Sequence, residues 1–196
     1  MQPNILILAA GASSRMGGPD KLLLPVGGTP LLAHVARVAL ATGFPVTVAQ
    51  PPDRPDRQAA IAGLPLQCLI VPGADTGIGA SLAAGIAALP ATEPALVLLA
   101  DMPDIATGDL VGFIADWARS PEMILRATDA EGTPGHPVGF PAWLRPDLLR
   151  LTGDIGAREV LSRHKDRIRY YALPGDHATT DLDTKADWQK WQGRTP

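Results

Sequence analysis

The stretch "NILILAAGASSRMGGPDK", residues 4–21, runs from an apolar segment straight into a loop of unusual composition. Ile5 to Leu8 read as the core of a buried β-strand. The following residues up to Lys21 contain three glycines, two serines and the cations Arg15 and Lys21. A plain turn needs only a few special residues. Small residues let backbone approach a ligand closely, hydroxyls donate hydrogen bonds, and fixed positive charges complement an anion. The combination suits a polyphosphate.

Outward from this stretch, apolar runs alternate with helical patterns. Strands are expected over 4–11, 45–50, 66–71, 95–101, 122–128 and 167–173. Helices are expected over 29–43, through Leu82, Ile86 and Leu89, and over 110–118, 153–164 and 183–192. "PPDRPDR" (51–57) reads as a polar, proline-broken loop. Strands that are apolar along their length and bounded by helices imply a mostly parallel sheet covered on both faces. The expected architecture is α/β: a single three-layer α/β/α domain over residues 1–196.

Composition limits the partners. With 46% hydrophobic and 19% charged residues, the chain falls among globular proteins, and a net charge of −3 gives no reason to expect nucleic acid or a membrane surface. The apolar start lacks a basic leader and is too short to span a bilayer, so the expected location is cytoplasmic. The single cysteine, Cys68, sits in the apolar run "LQCLIV" and reads as a buried filler. The four histidines (34, 136, 164 and 177) show no zinc-ligand spacing.

Commoner phosphate loops do not fit. Lys21 follows Asp20 and precedes Leu22, which breaks the Walker pattern, and Ala12 and Ser13 after Gly11 break the dinucleotide fingerprint. "GIGASL" (77–82) places Leu82 where a third glycine belongs. "ALVLLAD" (95–101) ends abruptly on Asp101, at the strand end where open α/β sheets gather ligands.

"LAAGASSRMGGPDKLLLPVGGTPLL" resembles the signature of nucleotidyltransferases that transfer NMP from NTP. "GASLAAGI" (79–86), "LLADMPDI" (98–105), "GTPGHPVGF" (132–140), "GDIGAREVL" (153–161) and "DLDT" (181–184) follow in the order of one branch. That branch is the molybdenum cofactor cytidylyltransferases, similar in fold to the guanylyltransferases of the same cofactor. The resemblance implies a Rossmann-like, GT-A-like nucleotidyltransferase fold, with CTP and molybdopterin (molybdenum cofactor) as partners and Mg²⁺ as cofactor. A recipient molybdoenzyme is a further implied partner.

It also implies roles. Leu8, Ala9, Ala10 and Gly11 would hold base and ribose by their backbone. Ser13 and Ser14 would form an anion nest. Arg15 and Lys21 would neutralise the triphosphate and act catalytically with Asp101. Asp101 and Asp183 would hold Mg²⁺, with Asp181 competing for the second position. Gly79 and Ser81 would face the nucleotide from a helix start. Taken singly, Lys21 reads more readily as a solvated surface lysine and Asp183 more readily as a helix N-cap.

Three residues carry double readings. His136 stands between glycine and proline in what reads as a loop, either bonding its own backbone or touching the pterin side. Ser81 either caps its helix or meets a base edge or phosphate. Asp154 either caps the helix after it or lines the second-substrate side. The doublet Ala9-Ala10 favours the cytidylyl branch over the guanylyl branch, which usually carries glycine at the second position. A sugar-phosphate nucleotidyltransferase and a non-catalytic cofactor-binding chaperone are the alternatives.

Overall fold

The computed structural model describes residues 1–11, 18 and 20–194. The strands are β1 (Asn4–Leu8), β2 (Pro25–Val26), β3 (Thr29–Pro30), β4 (Val46–Gln50), β5 (Gln67–Ile70), β6 (Ala95–Leu99), β7 (Ile124–Thr128), β8 (Pro134–Phe140) and β9 (Ile168–Ala172). The helices are α1 (Leu31–Leu40), α2 (Pro55–Ala60), α3 (Ile78–Ala88), α4 (Thr107–Trp117), α5 (Arg145–Leu148), α6 (Arg158–Arg163) and α7 (Lys185–Gln192). β2 and β3 form a small ribbon across Gly27 and Gly28. The other seven strands form one sheet in the order β5-β4-β1-β6-β8-β7-β9. Only β8 runs against the rest. The fold is the expected mostly parallel α/β architecture with helices on both faces.

Strand alternation explains the two layers. Ile5, Ile7, Leu96, Leu98 and Leu125 face one side and pack with Leu32, Val35, Leu110, Phe113 and Trp117 from α1 and α4. Leu6, Leu8, Val97, Ile124 and Val138 face the other and pack with Leu82, Ile86, Leu148 and Val160 from α3, α5 and α6. Central strands buried on both faces can therefore be apolar throughout.

This topology creates the functional crevice. β1 pairs with β4 on one edge and with β6 on the other. The chain runs from β1 out to β4 and β5 and then crosses back to β6, so the strand order reverses here. Leu8 is in register with Leu99. The segments that follow, Ala9–Gly11 and Ala100–Asp101, therefore emerge side by side.

Four stretches of the chain differ from the expectation. "GTPGHPVGF" is not a loop: residues 134–140 form β8, which joins β6 and β7. Its two prolines hide a central strand, because proline cannot donate to a ladder. "PPDRPDR" is not all loop either, since Pro55 starts α2 at the one helical position where a missing N–H costs little. The expected helix over 153–164 is a 3-10 turn at Gly153–Ile155 followed by α6, with Gly156 at φ 59° between them. Cys68 is exposed, because β5 is an edge strand whose residues are mostly open to solvent.

Candidate functional site

A cleft of about 640 Å³ opens at the carboxyl ends of β1 and β6. Its walls include Leu8, Ala9, Ala10 and Gly11 from the first strand end, and Ala100 and Asp101 from the second. Lys21, Ser81, Asp154, Asp181 and Asp183 complete the polar lining. Residues far apart in the chain thus converge on one crevice.

Lys21 is the electrostatic centre. It opens a 3-10 turn, Lys21–Leu23, which Asp20 caps by accepting from the Leu22 N–H at 3.1 Å. Its side chain is buried, and Nζ donates to Asp101 Oδ2 and to Asp183 Oδ1, each at 2.6 Å. A solvated surface lysine is thereby ruled out. Burial alone would weaken the lysine's hold on its proton; the carboxylates of Asp101 and Asp183 outweigh it and raise the Lys21 pKa above the ordinary value. Asp181 is pushed the other way for a carboxylate, upward, by burial first and then by repulsion from Asp101 and Asp183. Of the two competing acids, Asp183 is the one that bonds Lys21. Thr184, not Asp183, caps α7, in a reciprocal box with Asp187. The cap leaves Asp183 to face the cleft.

The residues fit a divalent cation. Asp101 Oδ1 is buried and accepts no hydrogen bond among the described residues. Asp183, which shares the Lys21 ammonium with Asp101, would supply the second carboxylate. A hard cation that keeps waters and takes one or two carboxylates plus substrate phosphates suits such a donor set. Among the described residues no cluster of three or more acid, histidine or cysteine ligands closes a full cage.

The remaining expected residues are distributed more widely. Ser13, Ser14 and Arg15 lie outside the described residues. Ser81 is within α3, so it is not an N-cap; its buried hydroxyl donates back to the Gly77 carbonyl at 3.5 Å. Gly79 does not line the cleft. A Cβ there would lie 2.7 Å from the Thr152 carbonyl oxygen, so its glycine serves the packing of α3 against the following turn. Gly77 does the same more severely, with Gly153 backbone 2.3 Å and Asp154 Oδ1 2.5 Å from a Cβ position. That close approach carries Asp154 to the cleft wall, where it makes no capping bond.

His136 does not line the cleft. It lies on β8, on the face shared with Val138 and Phe140, and its backbone N–H donates to Ala178. Its Nδ1 is buried without a hydrogen-bond partner among the described residues. Burial pushes its pKa down to about 4, against the pull of the Val97 carbonyl, so the ring is neutral at pH 7.

Arg57 is a residue of this region that no motif in the sequence marks. Fully buried on α2, its guanidinium meets Asp20 and the backbone of the first strand end. A cation placed in a stretch read as loop gave no periodic signal.

The chain matches the family described as the MobA-like NTP transferase domain over residues 5–168. It belongs to that family. A nicotine blue oxidoreductase from Paenarthrobacter nicotinovorans is 29% identical over 186 residues, 91% of each protein. A probable molybdenum cofactor guanylyltransferase from Synechococcus elongatus is 36% identical over 121 residues, 61% of this chain. The chain spans 58% of that relative's length and 24% of another curated relative's. Rv0371c from Mycobacterium tuberculosis superposes over the whole of both chains with a TM-score of 0.84 and 28% identity. Its complex with manganese superposes at 0.83. Membership of that family makes the chain a nucleotidyltransferase-type domain. Among the described residues no helix is long and apolar enough to cross a membrane.

Proposed function

We propose that this protein transfers CMP from CTP to the terminal phosphate of molybdopterin, releasing pyrophosphate and forming the cytosine dinucleotide cofactor. The observation that carries the reading is the cleft itself. One crevice gathers the Leu8–Gly11 backbone, a buried lysine and two carboxylates at a sheet switch point.

In this reading the backbone of Leu8 to Gly11 holds base and ribose. Arg15 and Lys21 hold the triphosphate, with Ser13 and Ser14 beside it, and Ser81 closes the wall from α3. Asp101 and Asp183 would hold Mg²⁺, which supplies further neutralisation of phosphate charge when bound. An oxygen of the acceptor's terminal phosphate forms a bond to the α-phosphorus of CTP as the bond to pyrophosphate breaks in line. The attacking oxygen is already anionic at neutral pH, so a general base is unnecessary. Positioning and charge stabilisation carry the rate. Asp154 would meet the acceptor from the cleft wall, whereas His136, expected on that side, lies off the wall and takes no part.

Ala10 supports cytosine over guanine. It lines the cleft beside Gly11, and in this reading its methyl takes space that the second ring of a purine would need. Guanylyl transfer is the second reading, favoured by the name of the Synechococcus relative. Incubation with molybdopterin, Mg²⁺ and each of CTP, GTP, UTP and ATP tests both, with mass spectrometry of the product. A cytosine dinucleotide and equimolar pyrophosphate are expected; a guanine dinucleotide selects the second reading. A reduced nicotinamide arm tests for the redox activity named in the Paenarthrobacter relative.

A further inference from the structure

Arg57 is 0% exposed, while its helix neighbours Pro55 and Asp56 are open to solvent. A guanidinium at that depth is costly unless it is paired and fully hydrogen-bonded. Its partners lie on both sides of the glycine-rich segment. Nη1 donates to the carbonyl of Ala9, and Nη2 donates to the carbonyl of Gly11 at 2.9 Å. Nε donates to Asp20 Oδ2 at 2.6 Å, and Nη2 also donates to Asp20 Oδ1 at 2.9 Å.

Asp20 passes the contact onward. The same Oδ1 caps the turn that begins with Lys21, whose Nζ reaches Asp101 and Asp183. One planar fork therefore joins the end of β1 to the residue that starts the lysine turn. A carboxylate alone would neutralise Arg57; the two carbonyls add a geometric tie that neutralisation does not require.

We propose that Arg57 is a positioning residue, a clasp that ties Asp20 to the end of β1 and thereby fixes the reach of Lys21 into the cleft. The functional half of this inference rests on the nucleotide reading of that cleft. Arginine suits the task because its fork holds separated acceptors in fixed directions. Lysine would keep the charge and lose the fork.

The test compares the full-length wild type with Arg57→Lys, and with Asp20→Asn should Arg57→Lys not fold. Amide hydrogen exchange is read across the chain, and kcat and KM for CTP are measured per folded molecule. The clasp predicts exchange at least tenfold faster around residues 9–11 and 20–24, with residues 124–128 unchanged. It also predicts a fall of at least tenfold in kcat/KM. Arg57→Lys combined with Asp20→Asn should be little worse than Arg57→Lys alone, because both act through one tie. Exchange that rises uniformly over the sheet would reveal a merely structural arginine and overturn the assignment. So would unchanged local exchange, or full activity in Arg57→Lys. The exchange measurement needs no substrate, so its failure is distinguishable from failure of the cytidylyl reading.

Discussion

Lys21 Nζ lies 2.6 Å from Asp183 Oδ1, across 162 residues of chain, and at the same distance from Asp101 Oδ2. The lysine thus stands between the two acids proposed to hold the metal. A buried pair of this kind is harmed more by losing one partner than it gains by existing, because the survivor stays desolvated.

Replacing Lys21 with alanine should cut turnover by two or more orders of magnitude, roughly 3 kcal/mol of transition-state stabilisation. Steady-state kinetics beside a thermal melt check this. Near-normal turnover would remove Lys21 from the catalytic group.

The acids should separate by degree. Asp101→Asn keeps the shape but loses the charge that a hard cation needs, so metal-dependent turnover should vanish. Asp183→Asn should reduce metal-dependent turnover in the same way, but less severely. Mn²⁺ binding followed by electron paramagnetic resonance, alongside activity titrations, reads both. Curves that overlay the wild type would put the metal elsewhere.

Gly77 should tolerate no side chain. Its φ is 123°, and a Cβ would meet the Gly153 backbone and Asp154. Gly77→Ala should force the Gly153–Ile155 turn away from α3, costing about 1–3 kcal/mol by overpacking alone. Denaturant unfolding measures the cost, which should be absent from Gly132→Ala apart from its own backbone strain, since that position is open.

Much of this site was legible in the sequence because it sits where strands stop. "NILIL" and "ALVLLAD" announce buried parallel strands, and the residues just after them, Ala9–Gly11 and Asp101, could be placed at one crevice by topology alone. Pairings that depend on distant chain were not legible. Nothing local in "DLDT" separates Asp181 from Asp183; the choice follows from Thr184 capping α7 and Lys21 approaching from the first loop. β8 was hidden by Pro134 and Pro137, and Arg57 by the prolines around it. Gly79 looked like a ligand-side glycine, but its missing side chain serves Thr152 and Gly153.

His136 should make stability pH-dependent. Its folded pKa of about 4 lies below the ordinary 6.5, so between those values the unfolded chain binds a proton that the folded protein does not. Stability should therefore fall as pH drops from about 6.5 toward 4, by roughly 2–3 kcal/mol from this residue. Melting curves of wild type and His136→Asn across that window check the sign. Parallel slopes would show that the imidazole is not held neutral.

The choice of base tests the account most directly, through kcat/KM for CTP and GTP with molybdopterin as acceptor, in wild type and Ala10→Gly. One steric contact of a methyl's size discriminates by about 1–3 kcal/mol, or some 10- to 200-fold. Wild type should prefer CTP within that range, and Ala10→Gly should narrow the ratio without making a good GTP enzyme. A wild-type preference for GTP would contradict the account.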